Sequence, residues 1–253
     1  MEEPKNSISA VGTTLEILNT LKENGKMGIT ELTHEVNVSK GTVHNHLSTL
    51  QHNDYVVKTD DKYQLGFRFM DLAYHAKQRV NIYDLVCQEV DNLAEDSGEM
   101  ALYTEAEHGL GVCLYRSMGE NAVQTALYEG YRSNLHHTAV GKAILAHMPE
   151  ERVKEILEQR GMTAQTENTI TNPDVLFDEF EEIRERGYAF NREETIPGLV
   201  GVGAPIKDRQ SGVVGAISII GPKSRIDDDR FYEEIPDEIT RSINIIQINA
   251  TSI

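Results

Sequence analysis

The chain has 253 residues and a formal net charge of −17, with 39% hydrophobic and 26% charged residues. This length suits one small and one medium-sized domain, and the composition excludes wholesale disorder. The chain shows no secretion signal and no run of about 18 apolar residues, so we expect neither export nor a membrane span. Cys87 and Cys113 match no disulfide framework and no metal motif, and we expect both thiols to stay reduced in a cytoplasm.

The acidic residues are concentrated in the second part of the chain. Residues 1–80 carry 9 Lys and Arg against 10 Asp and Glu, whereas the remaining residues carry 15 against 31. The first part can therefore approach phosphate without strong repulsion. The acidity and the presence of only 11 lysines also indicate a salt-rich cytoplasm, with an ordinary acidic surface as the alternative.

Apolar residues at helical spacing predict a first helix near the start of the chain. Gly25 follows the last of these residues as a stop signal. The apolar positions are Val11, Leu15, Leu18 and Leu21.

A helix-turn-helix is predicted next. Thr30 is a candidate N-cap for a short helix over 31–36. Asn37 tolerates the left-handed conformation of a tight turn, and Ser39 caps a second helix over 40–52. Two helices joined by so short a turn form a helix-turn-helix.

The second of these helices has an apolar inner face and an outer face of short polar side chains. Val43, His46, Leu47 and Leu50 form the inner face. The outer face has no carboxylate, and its groups can reach base edges or phosphates in a major groove. A merely solvated face is the alternative, although such faces usually carry Glu and Lys. The residues of this segment that we predict to contact DNA are Ser39, Lys40, Gly41, Thr42, His44, Asn45 and Ser48.

A hairpin follows and matches the wing of a winged helix. Its strands cover 55–59 and 62–65, and they are joined by two aspartates. Lys58 and Lys62 flank this turn and complete the predicted DNA contacts. Gly66 closes the module, and a linker helix is predicted over 67–80, with Phe69, Leu72, Ala73 and Ala76 on one side.

The second domain is predicted to be α+β, with a sheet covered by helices. Asn172 as N-cap, Pro173 at the first position and Gly187 after the end delimit one of its helices sharply. Pro236 is expected to break or kink the start of the terminal helix, which carries isoleucines at 235, 239, 243 and 246. The predicted strands cover 100–105, 111–116, 123–127, 188–192, 200–206 and 213–220, with a turn over 208–212, and the other helices cover 82–95, 139–147 and 150–160.

Several segments resemble the IclR family of transcription regulators. Residues 29–32, 39–44 and 47–50 resemble the family's winged helix-turn-helix, and residues 135–146 (LHHTAVGKAILA) resemble its signature helix start. Because further blocks follow in the same order, the chain is identified as a member of that family over nearly its whole length. These further blocks are 182–189, 191–194, Gly198, 204–206 and 217–219.

The resemblance implies a GAF-like mixed α/β effector domain, a homodimer or dimer of dimers, and palindromic operators in double-stranded DNA. It places a small-molecule effector against the sheet, under the loop before Gly141. A helix beginning near 138–140 would direct unpaired backbone N–H groups at this ligand, which suits the carboxylate of a small organic acid. Carried over position by position, the effector-binding residues are Ala139, Val140, Asn191, Leu199, Gly201, Ser218 and Ile220.

Three of these positions depart from the family's pattern. Asn191 stands where the family usually has Asp, while Gly201 and Ile220 stand where some members have Cys and Ser. The resemblance therefore implies a roomier and less polar pocket, which argues against a simple keto acid as the effector.

Other polar residues have alternative interpretations. Lys142 could contact an anionic ligand or form a surface or interface ion pair, and we favour the ion pair. For the neighbours His136 and His137 we favour a structural role over metal binding, because no further ligand stands at metal spacing. Glu193 and Glu194 would face opposite sides of a strand, which argues against joint acid–base chemistry.

The sequence thus predicts a DNA-binding transcription regulator whose operator affinity is modulated by a small-molecule effector. Its expected domains are 1–66, which binds DNA, 67–80, the linker, and 81–253, which binds effector and mediates self-association. A hydrolase or transferase is the enzyme alternative, but no nucleophile elbow, phosphate loop or metal cluster supports it. A ligand-independent architectural DNA protein is disfavoured by the long acidic second domain. We expect no catalytic residue, no cofactor and no metal.

Overall fold

The structure, a computed structural model, describes residues 6–208 and 212–250. The chain divides into two compact units, Met1–Val80 and Asn81–Ile253. Most of the turn predicted over 208–212, namely residues 209–211, lies outside the described residues.

The first unit is a helix-turn-helix followed by a small sheet, as predicted. Its strands form an antiparallel sheet in the order β1-β3-β2. The elements are α1 (Ser9–Asn24), β1 (Met27–Gly28), α2 (Ile29–Val36), α3 (Lys40–His52), β2 (Val56–Thr59), β3 (Lys62–Leu65) and α4 (Arg68–Lys77).

The predicted first helix forms as α1, but the apolar residues that predicted it do not all lie on its inner face. Val11 and Leu15 are 52% and 55% exposed, whereas Ile17 and Leu21 are buried. The inward-facing residues of α1 also include Thr14, whose hydroxyl lies 2.8 Å from Nδ1 of His46 on α3. Because Thr14 is polar, apolar spacing alone did not identify this face.

The start of α2 also differs from the prediction. Gly28, and not Thr30, is the N-cap residue, so the helix begins at Ile29. The Gly28 N–H donates to the carboxylate of Glu31 at 2.6 Å, which satisfies a backbone group that a helix start leaves without an intrahelical partner.

The predicted wing is confirmed. Residues pair from Val56↔Leu65 to Thr59↔Lys62, so only Asp60 and Asp61 remain in the turn. Both aspartates have positive φ, 51° and 61°, which is the backbone of a type I′ hairpin turn. The third strand, β1, is only two residues long and was not predicted.

The linker helix forms as α4, but none of its residues is buried. Of the four residues predicted to share one side, Phe69 is half-buried, with its ring centroid 5.2 Å from that of Tyr55, while Leu72, Ala73 and Ala76 are exposed. The same stretch exposes Phe67 and Met70, at 87% and 68%. Apart from Phe69, the apolar residues named here are thus exposed.

The second unit has an antiparallel six-stranded sheet in the order β6-β5-β4-β9-β8-β7. It packs against α5 and α9 and also against α6. The elements are α5 (Tyr83–Ser97), β4 (Met100–Glu107), β5 (Leu110–Met118), β6 (Arg132–Asn134), α6 (Ala139–Leu145), α7 (Glu150–Arg160), α8 (Pro173–Arg186), β7 (Ala189–Arg192), β8 (Leu199–Asp208), β9 (Gly212–Pro222) and α9 (Ile235–Ala250).

One predicted strand of this unit is wrong, whereas the predicted limits of α8 are confirmed. Residues 123–127 form no strand, and the edge strand is β6 instead. Asn172 caps α8 by accepting a hydrogen bond from the Asp174 N–H at 2.9 Å. A π-helical turn over Arg230–Glu234 precedes α9. This turn adjoins Pro236, which has no N–H to continue the regular pattern.

Among the described residues, no helix is both long and apolar enough to cross a membrane.

Candidate DNA-binding surface and ligand cavity

Local backbone chemistry sets the position of α3. Asn37 adopts the left-handed conformation between the two helices, with φ 53° and ψ 41°. Ser39 then caps α3, since its hydroxyl accepts a hydrogen bond from the Thr42 N–H at 3.1 Å. Val43 and Leu47 are fully buried, so the opposite face of α3 is directed outward.

Most of the residues predicted to contact DNA lie on this outward face of α3. Lys40, Gly41, His44, Asn45 and Ser48 are all exposed. Ser39 and Thr42 are instead engaged with each other at the start of the helix, their hydroxyl oxygens 2.8 Å apart. Their hydroxyl groups therefore stabilise the helix start in the DNA-free structure.

Both wing lysines already have carboxylate partners. Lys58 lies 2.7 Å from Asp61 within the wing, and Lys62 lies 3.2 Å from Glu31 on α2. The hydrogen bond from Lys58 lowers the pKa of Asp61. The pKa of Glu31 is lowered mainly by the hydrogen bond from the Gly28 N–H and then by the bond from Lys62. These carboxylate partners were not predicted from the sequence. One partner, Glu31, lies on a different element from its lysine.

A cavity of about 430 Å³ lies in the second unit. All seven residues that the resemblance placed around the effector line it. Residues that the sequence analysis did not name also contribute, among them Leu102, Thr104, Leu127, His137 and Thr195. Cys113, which was expected to be only a buried apolar residue, lines the cavity as well.

Strand register explains why distant parts of the sequence meet at this cavity. Asn191 on β7 pairs with Gly201 on β8, which pairs with Ile220 on β9. In a neighbouring row, Ser218 lies between Gly203 and Leu102. Because side chains alternate along a strand, these rows present Ser218 and Ile220 to the cavity, while Ile217 and Ile219 face the opposite side.

Two glycines on β8 shape the cavity. A Cβ at Gly203 would lie 2.9 Å from the backbone nitrogen of Val140, so glycine permits the close approach of α6 to the sheet. A Cβ at Gly201 would lie 3.0 Å from the carbonyl oxygen of Ile219. Any larger residue at these positions would displace a neighbouring backbone.

The start of α6 offers a ligand fewer groups than expected. The helix has only seven residues, and its Gly141 N–H already donates to the Thr138 hydroxyl at 3.0 Å. The backbone donors that the sequence analysis assigned to a ligand are thus partly engaged by the helix's own cap.

Three polar residues in the cavity wall are bonded to one another. The Asn191 amide donates to the His137 carbonyl at 3.1 Å and to the Thr195 hydroxyl at 2.8 Å. The Thr195 hydroxyl donates to the same carbonyl at 2.7 Å and lies 3.2 Å from Nδ1 of His137. The Asn191 oxygen accepts from the Glu194 N–H at 2.9 Å. These hydrogen bonds stabilise the part of the cavity wall that lies between β7 and β8.

Ser218 differs from these residues. It is 1% exposed, and its hydroxyl has no hydrogen-bond partner among the residues that the structure describes. A buried hydroxyl without a partner costs free energy comparable to a lost hydrogen bond. A ligand in the cavity could supply the missing partner.

The two adjacent histidines have structural contacts. His136 lies 3.3 Å from the Thr163 carbonyl, and its ring packs edge-on against that of His137. Burial lowers the pKa of His137 to about 4, with a smaller contribution from the neighbouring His136, so this ring is uncharged at neutral pH.

No group of three or more His, Cys, Asp or Glu residues suited to a metal occurs within residues 6–208 and 212–250.

We expect His137 to make the second unit less stable in acid. The unfolded chain binds a proton at this ring near pH 6.5, whereas the folded chain binds it only near pH 4, so stability falls as the pH decreases through this window. His137→Gln should remove about 2–3 kcal/mol of the stability change between pH 7 and pH 4.5. Urea unfolding at both pH values measures it.

The exposed His108 in the turn after β4 provides a matched control for this experiment. His108→Gln should leave the pH dependence as it is in the wild type. An identical pH dependence in the wild type and His137→Gln would show that this ring does not stay neutral through burial.

Lys142 forms an ion pair, the role favoured from the sequence, but the pair lies in the interior and not at a surface, and Lys142 does not line the cavity. It is 0% exposed, and its Nζ lies 2.6 Å from Oε1 of Glu194 and 3.9 Å from Oε1 of Glu179. Burial lowers the pKa of Lys142 and raises the pKa of Glu194, and the attraction between them opposes both shifts. Lys142 therefore forms an ion pair in the interior of the second unit.

Glu193 and Glu194 do not act as a pair. Glu193 is bound to Lys223 at 2.6 Å, and Glu194 to Lys142. They lie in a bend with Glu193 at positive φ, so they are separated by the bend and not by strand alternation.

Comparison with known proteins agrees with this arrangement. The family model described as IclR helix-turn-helix domain matches residues 10–60, and the one described as Bacterial transcriptional regulator IclR C-terminal matches residues 74–244. A probable HTH-type transcriptional regulator ArcR of Halobacterium salinarum is 34% identical over 97% of this chain and 95% of its own length. The transcriptional repressor IclR of Escherichia coli is 31% identical over 87% of this chain and 82% of its own length.

Solved structures show the same fold. The crystal structure of the Thermotoga maritima IclR is 29% identical, with a TM-score of 0.82 over 96% of this chain and 99% of that one. An IclR homologue from Microbacterium hydrocarbonoxydans, complexed with 4-hydroxybenzoate, has a TM-score of 0.84 at 17% identity over 96% of this chain and 100% of that one. The chain belongs to the IclR family of DNA-binding transcription regulators, with a helix-turn-helix domain followed by an effector-binding domain, and it is not an enzyme.

Proposed function

We propose that α3 reads base edges in the major groove of an operator. The Asn45 side chain is exposed on the outward face and suits a bidentate contact to adenine. Lys40, at the first position of α3, suits a phosphate contact. His44 and Ser48, one turn apart, extend this face, and Gly41 allows close approach of the DNA backbone.

The wing supplies further phosphate contacts in this proposal. Lys58 and Lys62 would exchange Asp61 and Glu31 for phosphate oxygens. Exposed ion pairs contribute little free energy, so breaking these pairs opposes DNA binding only weakly. Ser39 and Thr42 would contact DNA through groups that their mutual hydrogen bond leaves available.

We infer that the cavity binds the effector, a small organic acid or related metabolite. The observation that carries this inference is the Ser218 hydroxyl, which is buried, lines the cavity and has no partner among the described residues. The other six proposed contacts line the same cavity and enclose it from β7, β8, β9 and α6. The 4-hydroxybenzoate complex of a protein with this fold is consistent with such a ligand.

We also propose self-association into a dimer or a dimer of dimers, which matches a palindromic operator. Ile8, Val11 and Leu15 at the start of the first unit are 70%, 52% and 55% exposed. Phe67 and Met70 at the start of α4 are exposed too. Exposed apolar residues in such number are typical of an interface.

The effector would act through the arrangement of the subunits. A ligand changes DNA affinity only if it binds one arrangement better than another. The linker helix α4 joins the wing to the second unit along the chain, and it is the element that would transmit this preference.

Filling the cavity should abolish the effector response. Leu199 lines the cavity and is only half-buried, so Leu199→Trp adds bulk without the backbone clash that a side chain at Gly201 would cause. We expect the variant to bind operator DNA while losing the shift in affinity that effector produces. The measurement is DNA affinity with and without a low-molecular-weight extract of the cells that produce the protein.

Val175→Trp is the matched control, since Val175 is 50% exposed on α8 and does not line the cavity. It should respond like the wild type. A normal response of Leu199→Trp would place the effector site elsewhere.

A further inference from the structure

We propose that the cavity takes an amphipathic ligand, whose apolar body lies over β4 and β5 and whose single hydrogen-bonding end meets Ser218. This inference rests on the proposed function of the cavity as the effector site, and it specifies the class of effector.

The wall around Asn191 offers few free hydrogen-bonding groups. Both amide hydrogens of Asn191 are donated, to the His137 carbonyl and to the Thr195 hydroxyl. Thr195 donates its own hydrogen to the same carbonyl, so its oxygen can only accept from Nδ1 of His137. These polar residues stabilise one another, and most of their hydrogen-bonding capacity is not open to a ligand.

Among the described residues that line the cavity, Ser218 is the buried side chain that still needs a partner. It lies on β9, in register with Leu102 on β4 and with Gly203 on β8. Its neighbour across β8 has no side chain, and its neighbour on β4 is apolar. A single polar group of the ligand at this point can satisfy the hydroxyl.

The surface beyond Ser218, toward β4 and β5, is mostly apolar. It is formed by Leu102, Cys113 and Leu110, and by Leu127 from the irregular segment before β6, while Thr104 on β4 adds a polar side chain. Leu127 packs on the same apolar cluster that contains Leu102 and Cys113. Covering this surface with an apolar group removes it from water and strengthens binding.

Within the part of the chain that the structure describes, the interior of the cavity offers no free cation to a charged group, so a second charge on the ligand would add its own cost to that of the first. The His137 ring is uncharged at neutral pH, and Lys142 does not line the cavity. Arg132 lines it, but its side chain is 51% exposed and bound to Glu107 at 2.8 Å. Burying an unpaired charge is unfavourable, so the described residues disfavour dicarboxylates and phosphate esters.

The size of the cavity supports the same class. Its volume of about 430 Å³ lies in the range of about 300–1,000 Å³ that is typical of sites for drug-sized ligands. An acid of two or three carbons that reaches Ser218 would leave the apolar surface over β4 and β5 uncovered. A longer or aromatic body would cover it.

The test is a binding series with the full chain. Acetate, butyrate, hexanoate, octanoate and phenylacetate share one carboxylate and differ in apolar size, while adipate adds a second carboxylate to the six-carbon chain. We expect affinity to increase by about fourfold per methylene up to the length that the cavity admits. Adipate should bind at least tenfold more weakly than hexanoate. Isothermal titration measures these affinities.

Two variants distinguish the two ends of the ligand. Ser218→Ala should weaken every monocarboxylate by a similar factor of about fivefold, because one hydrogen bond is lost at the common end. Leu127→Trp should reduce the gain with chain length, because it fills the apolar end. Val175→Trp, outside the cavity, should change neither property.

Affinity that does not rise with apolar size, or adipate binding as tightly as hexanoate, would overturn the inference. Failure of the whole series to bind the wild type would overturn it as well. Neither result would refute the proposed function, because the loss of the effector response in Leu199→Trp tests the cavity with the cell's own metabolites.

Discussion

Replacing Lys142 by Met is expected to lower the free energy of unfolding of the second unit by about 3–5 kcal/mol. The substitution keeps most of the length of the side chain and removes its charge. Glu194, 2% exposed, would then be left without the cation that lies 2.6 Å from its Oε1. Its other oxygen, Oε2, is already buried without a hydrogen-bond partner among the described residues. The remaining buried carboxylate must protonate or draw in water, and both outcomes cost stability.

The double variant Lys142→Met, Glu194→Gln isolates the cause. It removes both charges, so it should recover a large part of the stability lost in the single variant. Lys154→Met, which removes a lysine paired with Glu150 on the surface of α7, should have a much smaller effect, because exposed ion pairs contribute little to stability. Denaturant unfolding of all three variants gives the comparison. A loss for Lys142→Met as small as that for Lys154→Met would refute the importance of the interior ion pair.

Replacing Lys40 and Asn45 together by Ala is expected to weaken operator binding by about 30- to 1,000-fold. Asn45 would lose a base contact, and Lys40 a phosphate contact. The loss at Asn45 should depend on the DNA sequence, whereas the loss at Lys40 should be similar for all sequences and should reduce the salt dependence. Stability should change little, because both side chains are exposed on α3.

A matched control for this experiment exists in the same unit. Lys22 and Asn24 are exposed on α1, and their joint replacement by Ala removes the same two types of side chain away from α3. This control should bind operator DNA like the wild type. Equal affinity of the Lys40, Asn45 variant and the wild type would show that α3 does not read the DNA.

Signals that act between neighbours in sequence predicted much of the fold. Ser39 caps α3, and Asn172 caps α8, because a capping side chain bonds to a backbone group two or three residues away. The Asp60-Asp61 turn likewise depends only on the conformations that two residues can adopt. These features require no knowledge of the rest of the chain.

Features that depend on distant residues were predicted less well. The inner face of α1 includes Thr14 because His46 on α3 provides a partner for its hydroxyl. The edge strand β6 forms where Arg132 pairs with Val112, although residues 123–127 look more like a strand by composition. Spacing along the sequence does not reveal such partners.

The same distinction holds for the cavity. The family resemblance selected seven residues that line one space, although they come from four separate elements. It did not reveal that Asn191 is held by His137 and Thr195, nor that Ser218 lacks a partner among the described residues. These properties follow from how the wall packs. They decide which of the seven residues has a group to offer a ligand.

The most direct test of this account is the affinity of the full chain for DNA fragments that it selects from its own genome. The affinity is measured against a scrambled sequence, with and without the low-molecular-weight cell extract. We expect a specificity of about 10³-fold or more, and a shift of at least about fivefold when the extract is added. Equal affinity for selected and scrambled DNA, or an affinity that the extract leaves unchanged, would contradict a regulator that reads DNA under the control of a small molecule.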